Sequence, residues 1–308
     1  MKQFSILAIL LASILISSCD SITGQKDDTQ KKNLLLATAG LLGNQTNSTI
    51  KFNVVSGSTN VSCDGIIPGT IALTTNSTLK DLRFYVHDVK LISIDGTKVD
   101  FSISTDGKWQ LAAGSNNFGS YPGIALLDFE DGTNGCAGGT SETNKSITGT
   151  VPAGNYVGVE FKVGVPFYLN HLLSSSSAAP LNISAMYWAW NSGYKFAKIE
   201  FTASSTNKLF HLGSGTCSGN TAGPVNECTY PNRPTISLSK SSGAFDSTID
   251  TITLDLNALY NGADASGSGI NTCMAGNTNA TCQPIIANIG VTPTSGVPSL
   301  SQSAFSIK

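Results

Sequence analysis

Leu82-Arg83-Phe84-Tyr85-Val86-His87-Asp88-Val89-Lys90-Leu91-Ile92-Ser93-Ile94 runs through near alternation of apolar and polar side chains, stops at Asp95-Gly96, and resumes over residues 98–103. Period-two alternation broken by Asp-Gly is the signature of an antiparallel hairpin. Working outward, the same pattern recurs in short segments between turn clusters. Residues 156–165 end at Pro166, residues 186–190 and 194–201 flank Asn191-Ser192-Gly193, and further strands are expected at 235–238 and 251–256. Runs of strong helix formers are nearly absent, whereas Thr, Ser, Gly and Asn abound, which favours strands joined by turns. The expected fold is all-β: a disulfide-pinned β-sandwich, mostly antiparallel, with long loops. No fixed-period repeat is visible. The Ser-, Pro-, Gly- and Thr-rich tail after Ile289 reads as an edge strand or an irregular end.

The chain begins Met1-Lys2, continues through an apolar stretch at 4–16, and reaches Ser17-Ser18-Cys19, the layout of a secretory signal with small residues at its cleavage site. Residues 1–18 are therefore read as a lipoprotein signal peptide and Cys19 as the lipid acceptor. Residues 19–48 form a polar tether with room for one short helix at 34–42, and residues 49–308 form a single β-rich domain. The protein is expected to be exported and lipid-anchored to a membrane, in the periplasm or at the cell surface. With 12% charged residues, a formal net charge of -2 and no basic patch, nucleic acid is not an expected partner. The other six cysteines make an even set for an oxidising compartment. Six cysteines allow about 15 connectivities, but Cys217 with Cys228 and Cys273 with Cys282 are close neighbours around loops, which leaves Cys63 with Cys136. No C-x-x-C spacing supports a zinc cluster.

Chemistry-bearing residues are few. The three histidines lie in Phe84-Tyr85-Val86-His87-Asp88, Phe167-Tyr168-Leu169-Asn170-His171 and Leu209-Phe210-His211-Leu212-Gly213, and none has the helical i, i+4 spacing of a zincin. Taken alone, each reads as a hydrogen-bonded core or loop residue. No strand-to-helix Gly-x-Ser-x-Gly elbow supports a hydrolase. Asp128, Glu130 and Asp131 lack the ligand order of an EF-hand and read as a solvated loop. The densest aromatic feature is Met186-Tyr187-Trp188-Ala189-Trp190, which holds two of the three tryptophans. In an extended strand Met186, Trp188 and Trp190 would share one face, either as core or as a site.

Several stretches, taken in order, resemble the MbnP-like proteins, the four-Cys proteins of metallo-mystery pairs. They are Asp81-Leu82-Arg83-Phe84-Tyr85-Val86-His87-Asp88-Val89, Leu126-Leu127-Asp128-Phe129-Glu130-Asp131-Gly132, Val163-Gly164-Val165-Pro166-Phe167 with Asn170-His171, and Trp188-Ala189-Trp190 with Gly193-Tyr194-Lys195-Phe196. Phe210-His211-Leu212-Gly213-Ser214, Pro231-Asn232-Arg233 and Cys273-Met274 to Cys282 complete the set. The resemblance implies a non-enzymatic exported protein that binds copper, as Cu(I). It further implies that a partner dihaem enzyme of the cytochrome c peroxidase and MauG type oxidises Trp188 to kynurenine, with Trp190 as a packing neighbour. His87, His171 and His211 are the implied imidazole ligands. The two on or beside strands, His87 and His211, rank ahead, and Met186 is a weaker thioether candidate. A competing reading is a metal-free surface lipoprotein whose ribbon Tyr187-Trp188-Ala189-Trp190 stacks on carbohydrate or docks a protein.

Overall fold

The computed structural model describes residues 44–69, 76–189, 191–218, 227–263, 272–274, 279–299 and 301–308. The signal peptide, Cys19, the tether as far as residue 43 and Trp190 lie outside the described residues. The main strands, numbered in chain order, are β1 (Gln45–Ser56), β2 (Ser77–Ser93), β3 (Ile124–Asp128), β4 (Ser146–Pro152), β5 (Tyr156–Val163), β6 (Tyr187–Ala189), β7 (Gly193–Tyr194) and β8 (Ala197–Ala203). They continue with β9 (Thr206–Leu212), β10 (Gly215–Ser218), β11 (Glu227–Tyr230), β12 (Thr235–Ser239), β13 (Thr251–Asp255), β14 (Thr272–Met274) and β15 (Phe305–Ile307). One sheet runs β15-β13-β1-β4 and ends on Ser102–Ile103; the larger runs β12-β5-β2-β8-β9-β14, with β3 also paired to β2. β1 pairs with β13 and β9 with β14 in parallel, whereas β15–β13, β12–β5, β5–β2, β2–β8, β8–β9, β3–β2, β6–β7 and β10–β11 are antiparallel.

β2 is the spine of the larger sheet. The alternation that starts this strand at the sequence level also decides its packing, because side chains at i and i+2 share a face. Leu82, Phe84 and Val86 meet the smaller sheet. Phe84 stands edge-on to Phe52 and Phe305 at centroid separations of 6.2 and 5.9 Å, and Phe161 on β5 meets the same two rings at 5.6 and 5.5 Å. These rings lock sheet to sheet, each edge-to-face pair adding about 0.5–1.5 kcal/mol beyond its buried area. The expected sandwich is therefore present. The hairpin across Asp95-Gly96 forms as the sequence suggests, with Ile92 opposite Lys98 and Gly96 at φ +83°.

Cys63–Cys136, Cys217–Cys228 and Cys273–Cys282 are bonded, the pairing that proximity favours. The first closes 73 residues, so in the chain-entropy picture it removes about 4 kcal/mol of unfolded-state freedom.

Three expectations need correction. The hairpin around Asn191-Ser192-Gly193 is shorter than its sequence pattern: only β6 and β7 pair, with a register shift after Tyr187, and β8 departs to join the larger sheet. Met186 closes a 3-10 turn (Ser184–Met186) and is wholly buried, so it does not share a strand face with the partly buried Trp188. Asp128 and Glu130 also fail to form a solvated loop; both are buried against Arg83.

Candidate metal centre

The other face of the larger sheet carries charge. Asp81, Arg83, Tyr85 and His87 project from β2 away from Phe84, and Arg83, Lys198 and His211 lie in register across β2, β8 and β9. Their side chains join end to end. Arg83 Nε donates to Asp81 Oδ1 at 2.8 Å, Lys198 Nζ reaches Asp81 Oδ2 at 2.5 Å and Glu200 Oε1 at 3.4 Å, and His211 Nε2 lies 2.6 Å from the same Glu200 oxygen. At the other end an Arg83 amino group is 3.5 Å from Glu130 Oε1. Burial alone would raise the Glu200 pKa, but the bonds from His211 and Lys198 hold it below its usual value. Glu200 is thus an acceptor and His211 Nε2 the donor, so Nδ1 is the ring nitrogen not committed to Glu200.

That Nδ1 is buried and has no hydrogen-bond partner among the described residues. Unpaired buried polar atoms are costly, and a nitrogen held this way by a carboxylate on its far side is the usual posture of a metal-ligating histidine. The Trp188 ring is a neighbour of the His211 ring, with centroids 6.3 Å apart and planes tilted by 50°. The close approach depends on Gly213: a Cβ there would fall 2.5 Å from Trp188 Cζ3. β6 and β7 position the indole, and β9 positions the imidazole.

His171 is buried in the loop after Pro166, in a different bonding environment. The Asn170 side chain accepts from Tyr194 N at 3.1 Å, so its amide nitrogen faces His171 Nε2 at 3.0 Å and Ser214 Oγ at 3.3 Å. Cys228 Sγ is 3.6 Å from the same His171 nitrogen, and the donor atoms of His171, Cys217 and Cys228 all lie within 4.8 Å of one another. The spacing suggests a metal site. With the two sulfurs bonded to each other they are not thiolates, so the imidazole is the strong donor in the group.

His87 stands apart. Its Nδ1 is 3.0 Å from Gly164 O, which assigns the proton to that nitrogen and the lone pair to Nε2. Burial, followed by the charges of Arg233 and Lys162, lowers its pKa to about 3, so the ring is neutral at neutral pH. His211 is level with Arg83, two strands from β2, and His87 is four residues further along β2. Those offsets separate the two Cα atoms by about 16 Å, too far for both rings to hold one ion. The structure therefore brings Trp188 and His211 together, places His171 beside the neighbouring Asn170–Ser214 contact, and leaves His87 on its own. Sequence reading did not single out Glu200 or Gly213, although Glu200 is the one acidic residue in the alternating segment Ala197–Ala203.

The fold and this arrangement define a disulfide-braced β-sandwich whose larger sheet carries a covered histidine and tryptophan site on its outer face. The chain belongs to the MbnP family: the family model, MbnP, matches residues 45–275. Among solved structures it is similar to MbnP from Methylosinus trichosporium, with a TM-score of 0.72 and 25% identity over 85% of this chain and 98% of that one. Comparison with curated proteins gave no match.

Proposed function

We propose that this chain is an exported copper-binding protein, lipid-anchored through Cys19, that takes up, stores or delivers Cu(I) as cargo. In this reading a dihaem partner enzyme of the cytochrome c peroxidase and MauG type first oxidises Trp188 to kynurenine. The observation that carries the reading is the buried, unpartnered Nδ1 of His211, whose ring neighbours the Trp188 ring at 6.3 Å between centroids. Unmodified indole is a poor ligand, since its nitrogen lone pair belongs to the ring. Opening the pyrrole ring leaves an aryl amine beside His211 and turns one donor into two. Imidazole and amine nitrogens suit copper, and no charged donor is required. The carbohydrate- or protein-docking alternative draws less support, because Tyr187 packs at 4.9 Å on the wholly buried Tyr194 and its hydroxyl is itself buried.

Elemental analysis and peptide mass spectrometry of protein from its native host test the proposal. The expected result is about one copper per chain and about +4 Da on the peptide carrying Trp188, the gain of one oxygen and loss of one carbon. Trp188→Phe and His211→Ala should each lower Cu(I) affinity, measured per folded molecule, by a factor of about 100. An unmodified Trp188 in copper-loaded protein would remove the kynurenine step. Full copper retention in His211→Ala would remove the site, and His87→Ala and His171→Ala compared in the same assay rank the other two histidines.

A further inference from the structure

We infer that Arg233 anchors a second binding site, near His87, in which its two amino groups take a carboxylate. The inference stands apart from the copper reading. It gives a role to Pro231-Asn232-Arg233 and Val163-Gly164-Val165, two motifs that the site at His211 does not use.

Arg233 is held on both sides along the chain. Asn232 before it is buried at φ +51°, where its side-chain nitrogen donates to Gly213 O at 2.8 Å and its backbone N–H to Gly296 O at 2.8 Å. After it, Pro234 O accepts from Val163 N at 3.1 Å. The half-buried side chain then crosses the turn at Gly164. Arg233 Nε donates to Val165 O at 2.7 Å, and the guanidinium lies over the Phe196 ring, 4.9 Å from its centroid. Gly164 makes this possible: it sits at φ +136°, and a Cβ there would fall 3.0 Å from Phe196 Cδ2 and 3.4 Å from Arg233 Cγ. A planar group tied at Nε and backed by a ring has one edge left, the two amino groups. Neither has a hydrogen-bond partner among the described residues.

No carboxylate in the chain answers this charge. Arg83, Lys162, Lys198 and Lys240 each meet an Asp or Glu. Even Lys195, whose Nζ donates to Ala185 O, feels Glu200 and Asp81. Arg233 has no such neighbour among the described residues, and burial alone pulls its pKa down to about 10. His87 is kept neutral partly by Arg233 and Lys162, so it offers no negative charge either. Asp88, next to it in sequence, is already bound by Lys90 and Lys162. A charge withdrawn from water without a counter-ion is costly, and an anion arriving from outside removes that cost. The free edge of a guanidinium matches a carboxylate through two parallel N–H···O bonds. The ligand is therefore a carboxylate, either of a small molecule or of an acidic side chain on another polypeptide.

Acetate and a tetraglutamate peptide test the site on protein purified from its native host, with chloride keeping the ionic strength constant. A bound carboxylate should raise the thermal midpoint with a saturating dose dependence, reaching about 4 °C in roughly twentyfold excess over its Kd. Half-saturation by the peptide within roughly tenfold of that by acetate marks a free carboxylate as the ligand; a lower value marks one carried on an acidic chain. Arg233→Met keeps the apolar stem over Phe196 and removes the fork, so neither probe should shift its midpoint. Arg233→Lys keeps the charge without the fork and should need at least about tenfold more of either probe, which decides the matter if the Met variant does not fold. No rise with either probe at about 100 mM would overturn the inference. So would a rise that survives in Arg233→Met, or one that is unchanged in Arg233→Lys. Copper content does not enter these measurements, so their failure leaves the copper reading untouched.

Discussion

The two faces of the larger sheet are made by the same strands and are about equally buried, yet they are held by different forces. Leu82, Phe84 and Val86 face the smaller sheet and are held by dispersion and the exclusion of water, in a jigsaw of edge-to-face rings. Asp81, Arg83, Tyr85 and His87 face the other way beneath the loop excursion between β5 and β8, where each charge is buried only because another charge answers it. The first face tolerates loss in proportion to the volume removed. On the second, removing one member leaves a buried partner unsatisfied, which costs more than the bond itself contributes. Geometry is easy to specify on the dry face, whereas chemistry can reside only on the charged one.

Substitutions that act on one face alone test this contrast. The largest effect is expected from Phe84→Ala, which removes a ring contacting both Phe52 and Phe305 and should cost about 3–5 kcal/mol in chemical denaturation. Copper bound per folded molecule should not change, since the ring points away from His211. A fall in copper affinity among the molecules that remain folded would show that the faces are coupled through the strand.

Glu200→Gln tests the opposite face with a smaller effect. The amide keeps the size of the carboxylate and can accept from His211 Nε2, but it no longer carries the charge that ties His211 to Lys198. Affinity for Cu(I) should fall by about 10- to 100-fold, the range for losing the partner of a ligating imidazole. Nitrogen NMR of metal-free protein supplies a second measurement. The signal of His211 should report the proton on Nε2 in the unsubstituted chain and a mixture of tautomers in the variant. An unaltered tautomer together with unaltered affinity would mean that Glu200 does no more than fill space.

The same contrast explains what could be read from the sequence. The core face was legible in β2, β5 and β8 because a buried apolar residue alternating with a polar one is a period-two signal. The outer face was misread because its cover comes from far away in the chain. Asp128 and Glu130 look solvated in the sequence and become buried only when Arg83, some 45 positions upstream, answers them. Trp188 was legible as part of an aromatic cluster, and the family resemblance singled it out from its neighbours. Its closeness to His211 was not, because that depends on an antiparallel ribbon lying across β9 and on Gly213 having no side chain. The short β6 shows the converse error: five residues of apolar and aromatic pattern suggested a full strand, but Met186 turns into the core instead.

The last prediction concerns pH and bears on the charged face alone. Burial, aided by the charges of Glu130 and Asp81 and opposed by Arg83, raises the Asp128 carboxyl to about 7. A carboxyl whose folded pKa lies above its unfolded value favours folding while protonated. That contribution is fully present below about pH 4 and is lost as the pH rises through about 7. His87 acts in the opposite sense: with its pKa lowered to about 3, it contributes stability above about pH 6.5 that is lost as the pH falls towards 3. The two trends overlap, so total stability against pH does not separate them, but the difference between the unsubstituted chain and Asp128→Asn does. Measured by urea denaturation at pH 4.5 and 7.5, that difference should shift by on the order of 2 kcal/mol, with the variant gaining relative stability at the higher pH. Asn keeps an oxygen that can accept from Glu130 N, the bond Asp128 makes at 3.1 Å, so the local turn has no reason to open. A difference that stays flat across this range would mean that Arg83 keeps Asp128 ionised throughout, and that the outer face is a fully paired ionic network with no proton held inside it.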